Sequence, residues 1–168
     1  LRYENEPWGN SNLFQSFGPY FHNQLKSNFI YNVGVVAGTA RAVEGLLSMI
    51  FHLSLNRPIP IVDQAVYNFL LHQIPFYDQT LFATNEDTWA VNLGTSVEAV
   101  KAGAGDIGMK CRDNATEFAR YTMNYEDVQP KIVNGIVQNG KTETPFVIVH
   151  QWDRIPSLRK EIEVKYGN

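Results

Sequence analysis

Apolar residues run almost unbroken from Phe29 to Val36 (Phe-Ile-Tyr-Asn-Val-Gly-Val-Val), with β-branched side chains and one buried-looking Asn32. Such a run predicts a strand covered on both faces. Gly38 and Thr39 interrupt it, and Thr39 is a suitable N-cap for a helix beginning at Ala40. Val43, Leu46, Leu47, Ile50 and Leu53 then recur at helical spacing, which predicts an amphipathic helix over Ala40 to Leu55, stopped by Asn56-Arg57-Pro58. Strand, tight turn and helix in that order form the unit of a parallel α/β sheet. A second helix is predicted to start at Asp63, whose carboxylate can cap the free N–H groups of Gln64, Ala65 and Val66, and to end near Gln73, ahead of Pro75.

Further along, Thr80 to Thr84 and Thr88 to Leu93 read as short strands around the polar turn Asn85-Glu86-Asp87. Between Gly94 and Asp127 the pattern weakens: Gly103, Gly105 and Gly108 indicate loops, and Asn114 to Tyr121 indicates a helix. Ile132 to Val137 and Thr144 to His150 are expected to pair as a hairpin through Asn139-Gly140, because Asn-Gly suits the positive φ values of a type I′ turn. Pro156 to Tyr166 is an amphipathic helix with Pro156 in its first turn and Arg159 four residues before Glu163. The first 28 residues, rich in Asn, Gly, Ser and aromatics, read as a loop with one short helix near Ser11 to Phe17, its aromatics docking on the core or, less commonly, lining a ligand groove.

Composition narrows the function classes. At 168 residues the chain has the length of one domain, and its 44% apolar content excludes a disordered or collagen-like chain. Fourteen Lys and Arg against 17 Asp and Glu leave a charge of −3, with no basic excess to displace counterions, so a nucleic-acid polymer or an anionic membrane is not an expected partner. The lone Cys111 excludes an internal disulfide framework and a zinc–cysteine cluster. The apolar stretch Val43 to Leu55 is too short for a membrane span and carries Glu44, Ser48, His52 and Ser54. The opening Leu-Arg-Tyr-Glu-Asn-Glu-Pro-Trp has neither an initiating Met nor a signal-peptide run and reads as a piece of something longer.

Three segments carry the chemistry: Tyr31-Asn32-Val33-Gly34-Val35-Val36-Ala37-Gly38, Val62-Asp63-Gln64-Ala65-Val66-Tyr67-Asn68, and Val147-Ile148-Val149-His150-Gln151-Trp152-Asp153-Arg154. In order and spacing they resemble the C-terminal half of a GT-A-type glycosyltransferase: an Asn-x-Gly strand before a helix, an Asp-Gln-x-x-x-Asn helix start, and a late strand ending in His. The resemblance implies an α/β fold with a Rossmann-like mixed sheet flanked by helices, and transfer of a sugar from a nucleotide-sugar donor to the hydroxyl of a glycan or small-molecule acceptor. It implies that Asp63 and Gln64 face the acceptor or the anomeric carbon, that Asn32, Gly34, Gly38, Asn68, Trp152 and Arg154 contact substrate, and that His150 is a metal ligand. The implied cofactor is a divalent cation, Mn2+ or Mg2+, whose Asp-x-Asp pair lies upstream in the family and does not occur in these 168 residues. A missing upstream half would dock on this chain, or a second copy would. The compartment is a secretory or Golgi lumen in a eukaryote, where the sequon Asn114-Ala115-Thr116 has meaning, and otherwise the cytoplasm.

Each of these residues also has an ordinary reading. Asp63 is an adequate cap, Asn32 can bond neighbouring backbone, Gly34 and Gly38 allow a tight turn, and Arg154 can pair with Asp153 or Glu161. Trp152 and Trp89 can pack against the last helix, and His52 and His72 sit at helix positions without ligand spacing. Gly103-Ala-Gly-Asp-Ile-Gly108 has the wrong glycine spacing for a dinucleotide loop. The missing Asp-x-Asp keeps open a non-catalytic carbohydrate-binding or interaction module on the same fold. A hydrolase using Asp63 with a Glu or His partner is a third reading.

Overall fold

Thr39 does cap a helix: its Oγ1 accepts from the Ala42 N–H at 3.3 Å, and α2 runs Ala40–Ser54, burying Leu46 and Ile50 as the spacing predicts. A computed structural model describes residues 2–5, 7–59, 62–96 and 130–167, and the chain divides into two compact units, Leu1–Leu81 and Phe82–Asn168. The expected loop at Gly103, Gly105 and Gly108, the expected helix from Asn114 to Tyr121, the sequon and Cys111 lie outside the described residues.

The first unit is helical. Its centre is α3 (Asp63–Leu71), which buries Ala65, Val66, Tyr67, Asn68, Leu70 and Leu71, and against which both α1 (Pro7–Leu25) and α2 pack. Helix α3 begins where the sequence indicates, but Val62 takes the cap position and makes no side-chain bond, while Asp63 is the first helical residue. Helix α1 is far longer than the short helix expected near Ser11 to Phe17. It kinks at Gly18 (φ 73°, ψ 177°), and Pro19 starts the second stretch, so a pair that reads as a chain break redirects the helix instead. Leu13 and Leu25 are buried with Tyr3, and Phe17 stacks on Phe69 at 4.3 Å while Phe21 meets the same ring edge-on at 5.1 Å. Phe17 and Phe21 thus dock on the core, whereas Phe14 and Tyr20 are exposed. The one-turn α4 (Phe76–Gln79) follows α3.

The largest departure is Phe29–Val36. It is not a strand: Phe29 makes a single antiparallel bridge with Arg2, and the chain turns at Val33-Gly34. Thr80–Thr84 is likewise not a strand.

The second unit holds the strands. β1 (Ala90–Asn92) pairs in parallel with β4 (Ile148–His150), and β2 (Pro130–Val133) pairs antiparallel with β3 (Ile136–Asn139). Val91, Leu93, Val137, Phe146, Ile155 and Leu158 form the core, and α5 (Pro156–Tyr166) lies over it through Leu158 and Ile162. The boundaries of α5 are those predicted, and the Arg159 Nε to Glu163 Oε1 ion pair closes at 2.7 Å. Two reversals stand where one hairpin was expected, the second of them at the expected Asn139-Gly140. Asn134 (φ 51°) and Gly135 (φ 74°) make the turn between β2 and β3. Asn139, buried to 1%, accepts the N–H groups of Lys141 (2.8 Å) and Thr142 (3.1 Å) on its side chain and starts a second reversal, which brings Pro145 back against Gln138. Both reversals bring inward-facing residues together: Ile132 opposite Val137 across the first, and Phe146, whose N–H donates to the Val137 carbonyl at 3.0 Å, across the second.

Gly135→Ala should lower stability by about 1 kcal/mol, the cost of a Cβ in the left-handed region, with Glu161 Oε2 also needing to move aside. Urea unfolding measures it.

Among the described residues the protein is therefore mixed α/β and mostly helical, with two separate two-stranded sheets and no Rossmann-like mixed sheet flanked by helices. No helix there is long and apolar enough to cross a membrane.

Candidate functional site

Residues four apart on a helix lie on one face, and α3 uses that spacing to aim the carboxamides of Gln64 and Asn68 at one stretch of backbone. The Tyr31 N–H donates to Asn68 Oδ1 at 2.7 Å, and Asn68 Nδ2 donates back to the Tyr31 carbonyl at 2.8 Å and to the Gln64 carbonyl at 2.9 Å. Gln64 Nε2 also donates to the Tyr31 carbonyl, and the Val33 N–H donates to Gln64 Oε1 at 3.1 Å. The two side chains thus replace the neighbouring strand that an extended backbone ordinarily needs. Asn68 has no exposed surface, so these bonds are made away from water. Asn32 Oδ1 accepts from the Gly34 N–H at 2.7 Å and closes the turn, which is its ordinary reading.

The first two segments that the sequence singles out therefore touch each other. Gln64 and Asn68, expected at the acceptor and the substrate, hold backbone. Asp63 is exposed, with Oδ1 accepting from the Gln64 N–H at 2.8 Å. Gly34 and Gly38 are exposed beside the turn and ahead of α2. Burial pushes the Tyr31 phenol above its usual range, with Tyr77 adding to the rise, and Tyr67 is raised by burial and then by Tyr31. These phenols stay neutral near pH 7.

His72, just past α3, has its Nε2 buried without a hydrogen-bond partner, and its ring is bonded to the Phe29 backbone. Burial, the larger influence, lowers its pKa below the ordinary 6.5. Unfolding therefore takes up a proton as the pH falls. The stability present above about pH 6.5 is lost as the pH drops through the folded value. Urea midpoints between pH 7 and pH 5 should fall less steeply for His72→Gln than for the unaltered chain.

In the second unit, β1 and β4 run in parallel, and their last residues, Asn92 and His150, are register partners. Carboxyl ends of parallel strands are where α/β sheets place ligands. Each strand leaves in a 3₁₀ turn, Leu93–Thr95 after β1 and Trp152–Arg154 after β4, and the two turns contact each other. Asn92 Oδ1 accepts from the Gly94 N–H at 3.1 Å. Gln151 is left-handed (φ 56°, ψ 37°), and its carboxamide fills the space that Gly94 leaves by having no side chain: a Cβ there would collide with Gln151 Oε1. The Arg154 N–H donates to the Gln151 carbonyl at 3.1 Å, so these residues are the two ends of one turn. Gln151 Oε1 and Arg154 Nε are both buried without hydrogen-bond partners. Trp152, half-buried, packs on the core, as its ordinary reading has it.

Mn2+ and Mg2+ require several oxygen ligands. His150 is half-buried beside the neutral Asn92, and no group of three or more His, Cys, Asp or Glu that could hold a metal occurs among the described residues. The donor set present does not fit a complete metal centre. Compared with models of known protein families, with curated proteins and with solved structures, the chain matches none. The site is thus read from its residues alone. Asn92, Gly94 and Gln151 escaped the sequence analysis, and Gln151 stands inside a segment it had singled out. The available signal was a polar residue at a strand end followed within two positions by glycine, as in Asn92-Leu93-Gly94.

Proposed function

We propose that this chain is the downstream, acceptor-side part of a GT-A-like glycosyltransferase, which transfers a sugar from a nucleotide-sugar donor to an acceptor hydroxyl. The observation that carries the reading is the parallel pair β1–β4, whose carboxyl end presents His150, Gln151 and Arg154 from the late segment of the resemblance. The contact of the Asn32–Gly34 turn with Gln64 and Asn68 supports it too, because it makes the first two segments one physical device. In this reading the short parallel pair belongs to a Rossmann-like sheet. Arg154, through its Nη nitrogens rather than Nε, and His150 face the departing diphosphate, where developing negative charge needs stabilising. The divalent cation would stabilise the same charge. His150 would be this chain's contribution to its shell, and its carboxylates would come from an upstream Asp-x-Asp. Leu47, Phe51 and Leu55 stand exposed along one line of α2, a surface suited to that upstream part or to a second copy.

A second reading is a non-catalytic carbohydrate-binding module, favoured by the neutral Asn92 as the register partner of His150 and by the lack of a metal-holding group among the described residues. Donor hydrolysis and sugar transfer with Mn2+, assayed on the full-length protein with a panel of nucleotide sugars, separates the two. His150→Ala should lower metal-dependent turnover by at least about tenfold, the scale of losing one charge-stabilising contact. Unchanged turnover removes His150 from the reaction, and glycan binding without any turnover supports the second reading.

A further inference from the structure

We infer that Gln151 and Arg154 form a subsite for sugar hydroxyl groups at the carboxyl ends of β1 and β4. The inference rests on this chain handling carbohydrate, as either reading above has it, and not on catalysis.

A folded protein rarely leaves buried polar atoms unpaired, yet this one turn has two. Gln151 Oε1 is an acceptor without a donor, and Arg154 Nε is a donor without an acceptor. They belong to the two ends of the turn closed by the Arg154 N–H to Gln151 carbonyl bond, at the strand ends where ligands of α/β sheets lie. Gln151 holds a left-handed backbone that side chains other than glycine's adopt at a cost, and the notch at Gly94 exists only because that position has no Cβ. Strain, an unpaired acceptor and an unpaired donor in one turn point to a ligand.

The chemistry of the two atoms selects its class. An ionised phosphate has no proton to give Gln151 Oε1 and would be repelled by it. A hydroxyl donates and accepts, so sugar hydroxyls can supply both the donor that Gln151 Oε1 lacks and the acceptor that Arg154 Nε lacks. Gln151 and Arg154 are each partly exposed as residues, so the turn lies at the surface of the second unit.

The experiment uses the full chain and saturation-transfer NMR with the methyl glycosides of glucose, galactose, mannose and N-acetylglucosamine, with inorganic pyrophosphate in parallel. At least one glycoside should bind. Gln151→Ala and Arg154→Lys, the latter keeping the charge but not the Nε donor, should each weaken it by tenfold or more. Gly94→Ala should do the same from the opposite side by displacing the carboxamide, with all three variants retaining the amide spectrum of the folded chain. Gln151→Ala should leave pyrophosphate binding unchanged. Binding of no glycoside, or glycoside binding indifferent to all three substitutions, as when a water alone fills the turn, overturns the subsite. So does an equal loss of pyrophosphate binding in Gln151→Ala. Glycoside binding that needs Gln151 in a protein that transfers no sugar would sink the transferase reading and leave the subsite standing, whereas transfer that needs His150 but not Gln151 would do the reverse.

Discussion

Asn68→Leu is expected to lower the unfolding free energy in urea by roughly 2–4 kcal/mol, the range for stranding buried hydrogen-bonding groups. Leucine has the same branching, but its methyl groups need more room than the oxygen and nitrogen they replace, so crowding adds to the loss of the hydrogen bonds. Tyr31 would keep a donor to its carbonyl from Gln64 Nε2, but its N–H, now bonded to Asn68 Oδ1 at 2.7 Å, would be left facing an apolar side chain. Asn68→Asp separates the acceptor half of this arrangement from the donor half. The new carboxyl can still accept from the Tyr31 N–H, but when ionised it has nothing to donate to the carbonyls of Tyr31 and Gln64. Burial and those two carbonyls raise its pKa in the folded state above the unfolded value near 3.9. The variant should therefore be most stable below about pH 4 and lose stability as the pH rises through the folded pKa, whereas Asn68→Leu should show no such dependence. Equal urea midpoints for Asn68→Asp at pH 3.5 and pH 7, after correction for the unaltered chain, would mean that the amide nitrogen is not holding the backbone.

Arg57→Met should cost about 2 kcal/mol, the scale of losing charge-assisted bonds to two carbonyls together with a cation–π contact. The guanidinium closes two helix breaks at once. Nε donates to the Leu53 carbonyl at 3.1 Å near the end of α2, Nη1 donates to the Ser16 carbonyl at 2.9 Å just before the kink in α1, and the group lies 4.3 Å from the centre of the Phe17 ring. Carbonyls in a last helical turn have no intrahelical donor, and Gly18 creates the same deficit mid-helix. Arg57→Lys keeps the charge but cannot donate to both carbonyls from one planar fork, so it should recover less than half of the loss. Thermal unfolding of the three proteins side by side gives the order. A lysine variant as stable as the arginine would mean that charge over Phe17, and not the pair of carbonyl bonds, holds the kink.

Helices whose apolar positions recur at 3.6 residues were legible without coordinates. Thr39 starts α2, and α5 spans Pro156–Tyr166 as predicted, because a cap and an apolar stripe are local properties that short-range bonds and one buried face satisfy. Asn-Gly was legible as a turn, and the chain does reverse at Asn139-Gly140 as well as at Asn134-Gly135; which partner each arm then takes, β4 pairing with β1 after only Thr144 to Phe146 return along β3, depended on distant strands. The run Phe29–Val36 shows the opposite limit. Its composition says extended, and whether extended backbone becomes a sheet strand depends on what supplies its hydrogen bonds.

At the candidate site, the sequence marked two segments that the fold brings into contact and left the roles of their residues open. Gln64 and Asn68 drew notice as a pair four apart, and contact with Tyr31 and Val33, more than thirty positions earlier, turned them into a backbone clamp. Gln151 had no signal of its own. It stands out through its neighbour across the parallel pair, Gly94, and through an oxygen left without a partner, and both arise only when distant stretches of chain close around the same small volume. Local pattern thus settles where a helix begins and which residues are polar, since neighbours in sequence carry that information. Which polar atom is satisfied and which is left for a ligand depends on partners far along the chain.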